Sequence, residues 1–177
     1  MHRRRTVRDW GGAAGACALL GPGDSFAQPD NAAPRRIDVH HHVTPPSWIR
    51  EARDQIAATN RKLPPIADWS VQRSLDEMDK NDVRSAVASV TNPGIWFGDT
   101  AAARKLERGC NEYLARLAAD HPQRFGAVAT LPLPDIEGSL AEIAHSFDVL
   151  KADGIGLMTS YDDKWPGDAA FAPVFAE

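Results

Sequence analysis

Four short apolar runs, each followed by a longer amphipathic stretch, constrain the fold of this 177-residue chain more than any other feature. The runs are strand-like and cover residues 37–42, 85–90, 125–131 and 154–158. Apolar residues at three- and four-residue spacing predict helices at about 70–80, from Asp99 or Thr100 to about Asp120, after Asp135 and near Asp168. Strands that are apolar almost throughout and alternate with helices predict a parallel sheet covered by helices.

Two architectures share this order of elements: a parallel (β/α)8 barrel of the TIM type and a doubly wound open sheet. No G-x-G-x-x-G motif follows the first run, which removes the main reason to expect a dinucleotide-binding sheet. A barrel needs about 250 residues and eight strands. This chain supplies four strands, so the residues alone predict an α/β fold with a parallel sheet and leave both architectures open. Because the sequence stops inside a helical pattern at Glu177, we interpret the chain as a fragment.

The first 27 residues have the pattern of an export signal. Arginines precede a weakly apolar, glycine-rich stretch, and Ser25-Phe26-Ala27 resembles a small-x-small cleavage site. The Arg4-Arg5 pair is typical of a twin-arginine signal. Residues 28–36 then form a polar linker that contains two prolines. The sequence predicts a periplasmic or secreted protein, and a cytoplasmic one if the leader is only a basic extension.

Charge and apolar content exclude two classes of partner. Removing residues 1–27 deletes four arginines and two aspartates, which moves the formal net charge from −4 to −6. The mature chain has no basic patch that would bind phosphates, so no nucleic acid is expected. No run reaches the roughly 20 apolar residues of a membrane-spanning helix, so no membrane is expected. We expect a small-molecule substrate as the partner, and a homo-oligomer for the full-length protein.

Residues 37–43 read Ile-Asp-Val-His-His-His-Val and indicate a metal site. Side chains alternate between the two faces of a strand, so Asp38, His40 and His42 are predicted to share one face. His41 is then predicted to pack against the helices. Two imidazoles two residues apart can bind one ion, at about 2.0–2.1 Å for zinc. We therefore predict that His40 and His42 bind a divalent metal, zinc first and manganese as the alternative, with Asp38 supporting these ligands from behind.

Seven segments of the chain resemble the amidohydrolase superfamily, and more narrowly its amidohydrolase-related branch, which includes aminocarboxymuconate-semialdehyde decarboxylase. In chain order they are residues 36–45, 69–78, 91–94, 111–114, 121–126, 130–134 and 167–175. The resemblance implies a metal-dependent (β/α)8 barrel, of which residues 37–177 would form the first four β/α units. It implies that His40 and His42 are two of the metal ligands. It places the other ligands and the catalytic residues on later strands, beyond Glu177. It also implies non-oxidative decarboxylation of a small carboxylated substrate, aromatic acids included.

Two alternatives to a decarboxylase remain open. The same two ligands would serve a metal-assisted hydrolase of a lactone, an amide or an ester. The non-enzymatic alternative is an inactive half barrel that self-associates through exposed sheet edges and bare apolar faces.

Five side chains in the predicted loops after the strands are candidates for substrate binding. They are Trp48, Arg61, Asn92, Trp96 and Tyr161. A cation in such a loop would pair with a substrate carboxylate, and an aromatic side chain would stack on a ring. The alternative for each is an ordinary packing or turn-forming role. Cys110 lies on the apolar stripe of its helix, which predicts a core residue and not a nucleophile.

Overall fold

The computed structural model describes residues 36–58 and 68–177. The predicted export signal, the linker up to residue 35 and the candidate Arg61 lie outside the described residues. Within the described residues, none of the helices combines the length and the apolar character that crossing a membrane requires.

Within residues 36–58 and 68–177, four strands alternate with the helices. The strands are β1 (Arg36–Val43), β2 (Val83–Val90), β3 (Phe125–Thr130) and β4 (Gly154–Gly156). The helices are α1 (Pro46–Ala58), α2 (Val71–Lys80), α3 (Thr100–Asp120), α4 (Ile136–His145) and α5 (Ala172–Ala176). Neighbouring strands pair in parallel in the order β1-β2-β3-β4. A doubly wound sheet reverses its strand order, whereas a barrel does not, so this topology confirms the predicted barrel type with four β/α units.

Side-chain caps fix where three of the helices begin. Ser70, Asp99 and Asp135 each accept a hydrogen bond from the backbone N–H three residues later. Each bond satisfies an N–H group that the first turn of a helix leaves unpaired. The predicted starts of α3 and α4 are thereby confirmed.

The main differences from the predicted elements concern α1, the end of α4 and the end of β4. Helix α1 has no counterpart among the predicted elements. It begins at Pro46, and proline is tolerated at the first helical position because the N–H that it lacks would have no partner there. Helix α4 ends at His145, before the end of the apolar stripe, and a π-helical turn follows over Ser146–Leu150. Strand β4 ends at Gly156, two residues earlier than predicted.

The core lies between the sheet and its helices. Trp48, Leu114 and Phe171 are among its largest fully buried side chains. Cys110 is also fully buried, and burial raises the pKa of its thiol to about 12, which confirms a packing role. Strand β1 also carries exposed apolar side chains, since Ile37 and Val39 are 56% and 74% exposed.

Candidate functional site

His40 and His42 meet at the carboxyl-terminal end of β1, the end of the strands where barrel sites form. Their Nε2 atoms are 3.0 Å apart, and their rings lie edge to face with centroids 4.6 Å apart. An ion about 2.0–2.1 Å from each nitrogen would contact both. The Nδ1 atom of His42 lies 3.3 Å from the hydroxyl of Ser89 on β2, a contact that orients the ring. The two predicted ligands therefore fit a single metal ion.

His42 is favoured in its neutral form. Burial lowers the pKa of His42, and the neighbouring His40 and His41 lower it further. A neutral imidazole keeps the lone pair that a metal requires. Within residues 36–58 and 68–177, no three His, Cys, Asp or Glu side chains are grouped so as to hold a metal. The described part of the chain thus supplies two imidazole donors.

A β-bulge in β1 changes the face on which Asp38 lies. Asp38 pairs with Ala86, whereas the next pair joins His41 to Ala88, so three steps along β1 match two along β2. A bulge adds one residue to a strand and interrupts the alternation of its side chains. Asp38 therefore shares the face of His41. The prediction that it shares the face of His40 and His42 is wrong.

Asp38 and His41 interact on the helix side of the sheet. The Asp38 Oδ2 atom lies 3.1 Å from Nδ1 of His41, whose Nε2 lies 2.9 Å from the Ser74 hydroxyl on α2. The Asp38 Oδ1 atom accepts the backbone N–H of His40 at 3.1 Å. Burial raises the pKa of Asp38, but its hydrogen bonds and the nearby imidazoles outweigh burial and lower it. His41 packs toward the helices as predicted, and Asp38 stabilises the bulge from which His40 projects.

A cavity of about 300 Å³ opens beyond the carboxyl-terminal ends of β2, β3 and β4. Its polar lining consists of Asn92, Trp96, Thr130, Ser160, Tyr161 and Asp162. This volume is at the lower end of the range for small-molecule pockets. Three of the predicted substrate-binding residues, Asn92, Trp96 and Tyr161, therefore lie together at one cavity.

Trp48 lies in the core and not at this cavity. It is fully buried in α1, and its indole N–H donates to the carbonyl of Gly94 at 2.7 Å. Gly94 has a φ of +82°, and a Cβ atom there would lie 3.3 Å from the side chain of Met158. The structure thus assigns Trp48 to supporting the turn after β2, which corrects the predicted contact with substrate.

Asp162 lines the cavity but is not among the residues predicted for the site. Its Oδ1 atom accepts the indole N–H of Trp96 at 2.7 Å, which joins the loop after β2 to the turn after β4. Asp162 has a φ of +52° in the turn that Tyr161 and Lys164 close. Aspartate is common in such turns, so its identity alone gives no sign of a cavity.

Asn111 on α3 fixes the peptide group at the end of β3. Its Nδ2 donates to the carbonyl of Thr130 at 3.0 Å, and its Oδ1 accepts the N–H of Thr130 at 2.9 Å. The last pair between β2 and β3 involves Ala127, so the Asn111 amide bonds Thr130 as a neighbouring strand would. Because Thr130 lines the cavity, Asn111 holds part of the cavity wall in place.

Two glutamates are buried beside Asn111. Glu142 is 2% exposed and accepts hydrogen bonds from Arg108 at 2.6 and 2.9 Å and from Asn111 at 2.9 Å. Glu107 is also 2% exposed, and its Oε1 atom has no hydrogen-bond partner among the described residues. Burial, and then the charge of Glu142, raises the pKa of Glu107 to about 9. Glu107 is therefore protonated at neutral pH, which its position on a helix does not reveal.

Replacing Glu107 with glutamine is expected to stabilise the protein increasingly as pH rises. A carboxyl whose pKa rises on folding, here from 4.5 to about 9, contributes its full stability below the lower value and loses it as pH rises through the higher one. Glutamine does not titrate. The difference in melting temperature between variant and wild type should therefore grow between about pH 5 and pH 9. Thermal melts of the full-length protein measure this difference, with Glu112→Gln on α3 as the control. A difference independent of pH would contradict a protonated Glu107.

A family model described as Amidohydrolase matches residues 37–177. Among curated relatives, decarboxylase yanB of Aspergillus niger is 37% identical over 149 residues, and 6-methylsalicylic acid decarboxylase of Penicillium expansum is 35% identical over 148 residues. Each match covers 80% of this chain, but 40% and 44% of the respective relative. The chain thus spans less than half the length of these relatives.

Solved structures give the same picture of the fold. The crystal structure of an amidohydrolase II matches with a TM-score of 0.74 and a sequence identity of 25%. The match covers 80% of this chain and 46% of that one. A 5-carboxyvanillate decarboxylase from Novosphingobium aromaticivorans, solved with bound manganese, is 22% identical with a TM-score of 0.67, over 80% of this chain and 47% of that one. The second likeness shows the fold alone.

Proposed function

This chain belongs to the amidohydrolase family, and from that membership we propose that it forms the first four β/α units of a metal-dependent decarboxylase acting on a small aromatic acid. The observation that carries the proposal is the pair of imidazole Nε2 atoms, 3.0 Å apart, at the carboxyl-terminal end of β1. The cavity at the same end of the sheet is sized for a small molecule. The similarity to curated decarboxylases, one of them named for 6-methylsalicylic acid, supports this substrate class.

His40 and His42 would hold the metal ion. When bound, a divalent ion supplies positive charge that polarises a carboxylate or carbonyl oxygen of the substrate. Imidazole ligands suit zinc. The manganese in the similar 5-carboxyvanillate decarboxylase supports manganese instead, and we place it first. Elemental analysis of the purified full-length protein distinguishes the two ions.

The other described side chains of the site position the two histidine ligands or contact the substrate ring. Ser89 orients the ring of His42, and Asp38 stabilises the bulge from which His40 projects. The indole of Trp96 at the cavity offers a surface on which an aromatic ring packs. Proton delivery to the carbon that loses carbon dioxide falls to residues beyond Glu177, as the family resemblance implies.

The full-length protein, loaded with manganese or zinc, is expected to release carbon dioxide from 6-methylsalicylic acid or from a related hydroxybenzoic acid. Removing the metal with a chelator should abolish the release, since the positive charge at the carboxylate is lost. Evolved carbon dioxide and the phenolic product are both measured. A parallel panel of lactones, amides and esters tests the hydrolase alternative.

Hydrolysis of that panel without carbon dioxide release would overturn the proposed decarboxylase. A protein that converts neither panel and elutes as a large self-associated species fits the inactive half barrel instead. The exposed Ile37 and Val39 would then be the first residues to examine as the contact surface.

A further inference from the structure

We propose that Asp162 makes the cavity selective for an uncharged part of an aromatic ligand that bears a ring hydroxyl away from the carboxylate, while the carboxylate of that ligand lies outside the cavity. The proposal rests on the proposed function in taking a small aromatic acid as the ligand. It goes further by assigning a recognition role to Asp162, and it predicts which end of the ligand enters the cavity.

The first observation is the chemistry of the cavity wall. Ile95, Leu131 and Met158 provide apolar surface, and Trp96 provides an indole ring. Among the described residues that line the cavity, none is a lysine, an arginine or a histidine, and Asp162 is the only aspartate or glutamate. An aromatic ring is therefore well accommodated. A ligand carboxylate would meet a like charge and find no cation to offset it.

The second observation is the spare hydrogen-bonding capacity of Asp162. A carboxylate has two oxygens and accepts several hydrogen bonds. The indole N–H of Trp96 occupies Oδ1 at 2.7 Å and so fixes the orientation of the group. Among the described residues no hydrogen bond is made to the second oxygen, Oδ2, which is left to accept one from a ligand. A phenolic hydroxyl is protonated at neutral pH and is a suitable donor.

The third observation is that the hydroxyl of the adjacent residue, Tyr161, already takes part in a hydrogen bond. The Tyr161 hydroxyl accepts the backbone N–H of Met158 at 2.9 Å, and Tyr161 is 6% exposed. Its position is thus set by the fold, with one acceptor position already used. The exposed Asp162, held by a single bond to Trp96, is the group placed to respond to a ligand.

The test compares two probes that differ in one group, 3-methylphenol and 3-methylbenzoate, in titrations of the full-length metal-loaded protein. Indole fluorescence reports binding, and Trp96→Phe identifies the part of the signal that comes from the cavity. We expect 3-methylphenol to bind at least roughly tenfold more tightly at this reporter, because only the phenol donates a hydrogen bond to Asp162. Equal binding, tighter binding of the benzoate, or no response from either probe would overturn the proposal.

The Asp162→Asn variant tests whether the negative charge of Asp162 is needed for binding, while its hydrogen bond to Trp96 is kept. Asparagine keeps an oxygen for the indole N–H of Trp96 but removes the charge, so 3-methylphenol should bind roughly tenfold more weakly. Asp163→Asn is the matched control, since Asp163 is the next residue, is exposed and does not line the cavity. The same change in both variants would show that Asp162 has no special role.

Repeating the titrations after chelation separates this proposal from the proposed function. Binding of 3-methylphenol that survives chelation supports the cavity site, even if the protein decarboxylates nothing. Loss of that binding on chelation would place the hydroxyl at the metal and overturn the proposal.

Discussion

Replacing Asn111 with leucine is expected to lower the free energy of unfolding by about 3–5 kcal/mol. Asn111 is 2% exposed and makes two hydrogen bonds to the peptide groups of Thr130 and one to Glu142. Leucine is of similar size but has no polar atoms. It would leave the N–H and C=O of Thr130 buried without partners, at a cost of about 1–3 kcal/mol each. Urea unfolding of the full-length protein, followed by circular dichroism, measures the loss.

The control for this prediction is Glu112→Leu, one residue further along α3. Glu112 is only partly buried, and the same replacement there removes no bond to β3. We expect that variant to change the free energy of unfolding by less than about 0.5 kcal/mol. A loss at Asn111 no larger than at Glu112 would mean that water or another group takes over the bonds to Thr130.

Asn111 also connects stability to the cavity. Thr130 lines the cavity, and the amide that fixes its peptide group is itself bonded to Glu142, which Arg108 neutralises. Glu142 is buried whereas Arg108 is partly exposed, so removing Arg108 would leave a buried carboxylate without its ion-pair partner. A substitution at Asn111, Glu142 or Arg108 is therefore expected to weaken ligand binding in the cavity as well as the stability of the fold. Neither Glu142 nor Arg108 lines the cavity itself.

The order of the elements could be predicted because its signals are local. The caps at Asp99 and Asp135 and the apolar spacing behind them lie within a few residues of each other, and they gave the starts of α3 and α4. Helix α1 was not predicted because Pro45, Pro46 and the prolines further along favour a loop reading, whereas Pro46 takes the first helical position.

The positions of the site residues could be predicted only where the alternation of side chains along one strand determines them. His40 and His42 project together because they are two residues apart, as the alternation predicts. Asp38 was misplaced because the bulge depends on pairing with β2, which no local pattern reports. The contacts of Asp162 with Trp96 and of Asn111 with Thr130 join residues 66 and 19 positions apart, and only the folded chain shows them.

Alanine at His40 or at His42 is expected to lower metal affinity roughly a hundredfold or more, because each variant leaves a single imidazole donor from β1. His41→Ala is the matched control within the same run, since its ring bonds to Asp38 and Ser74 on the helix side. It should lower the melting temperature and leave the metal content per chain near that of the wild type. Elemental analysis and thermal melts of the three full-length variants measure both quantities.

Because of the bulge, the His41→Ala variant is not fully independent of the metal site, as it would be in a strand with strict alternation. Asp38 contacts the ring of His41 and also accepts the backbone N–H of His40. Removing the His41 ring therefore takes one of its two partners from Asp38, the side chain that stabilises the bulge. A modest fall in metal affinity for His41→Ala, up to about tenfold, is therefore compatible with a supporting role. Equal metal loss from all three variants would instead mean that His41 binds the metal, and would contradict the two-histidine site.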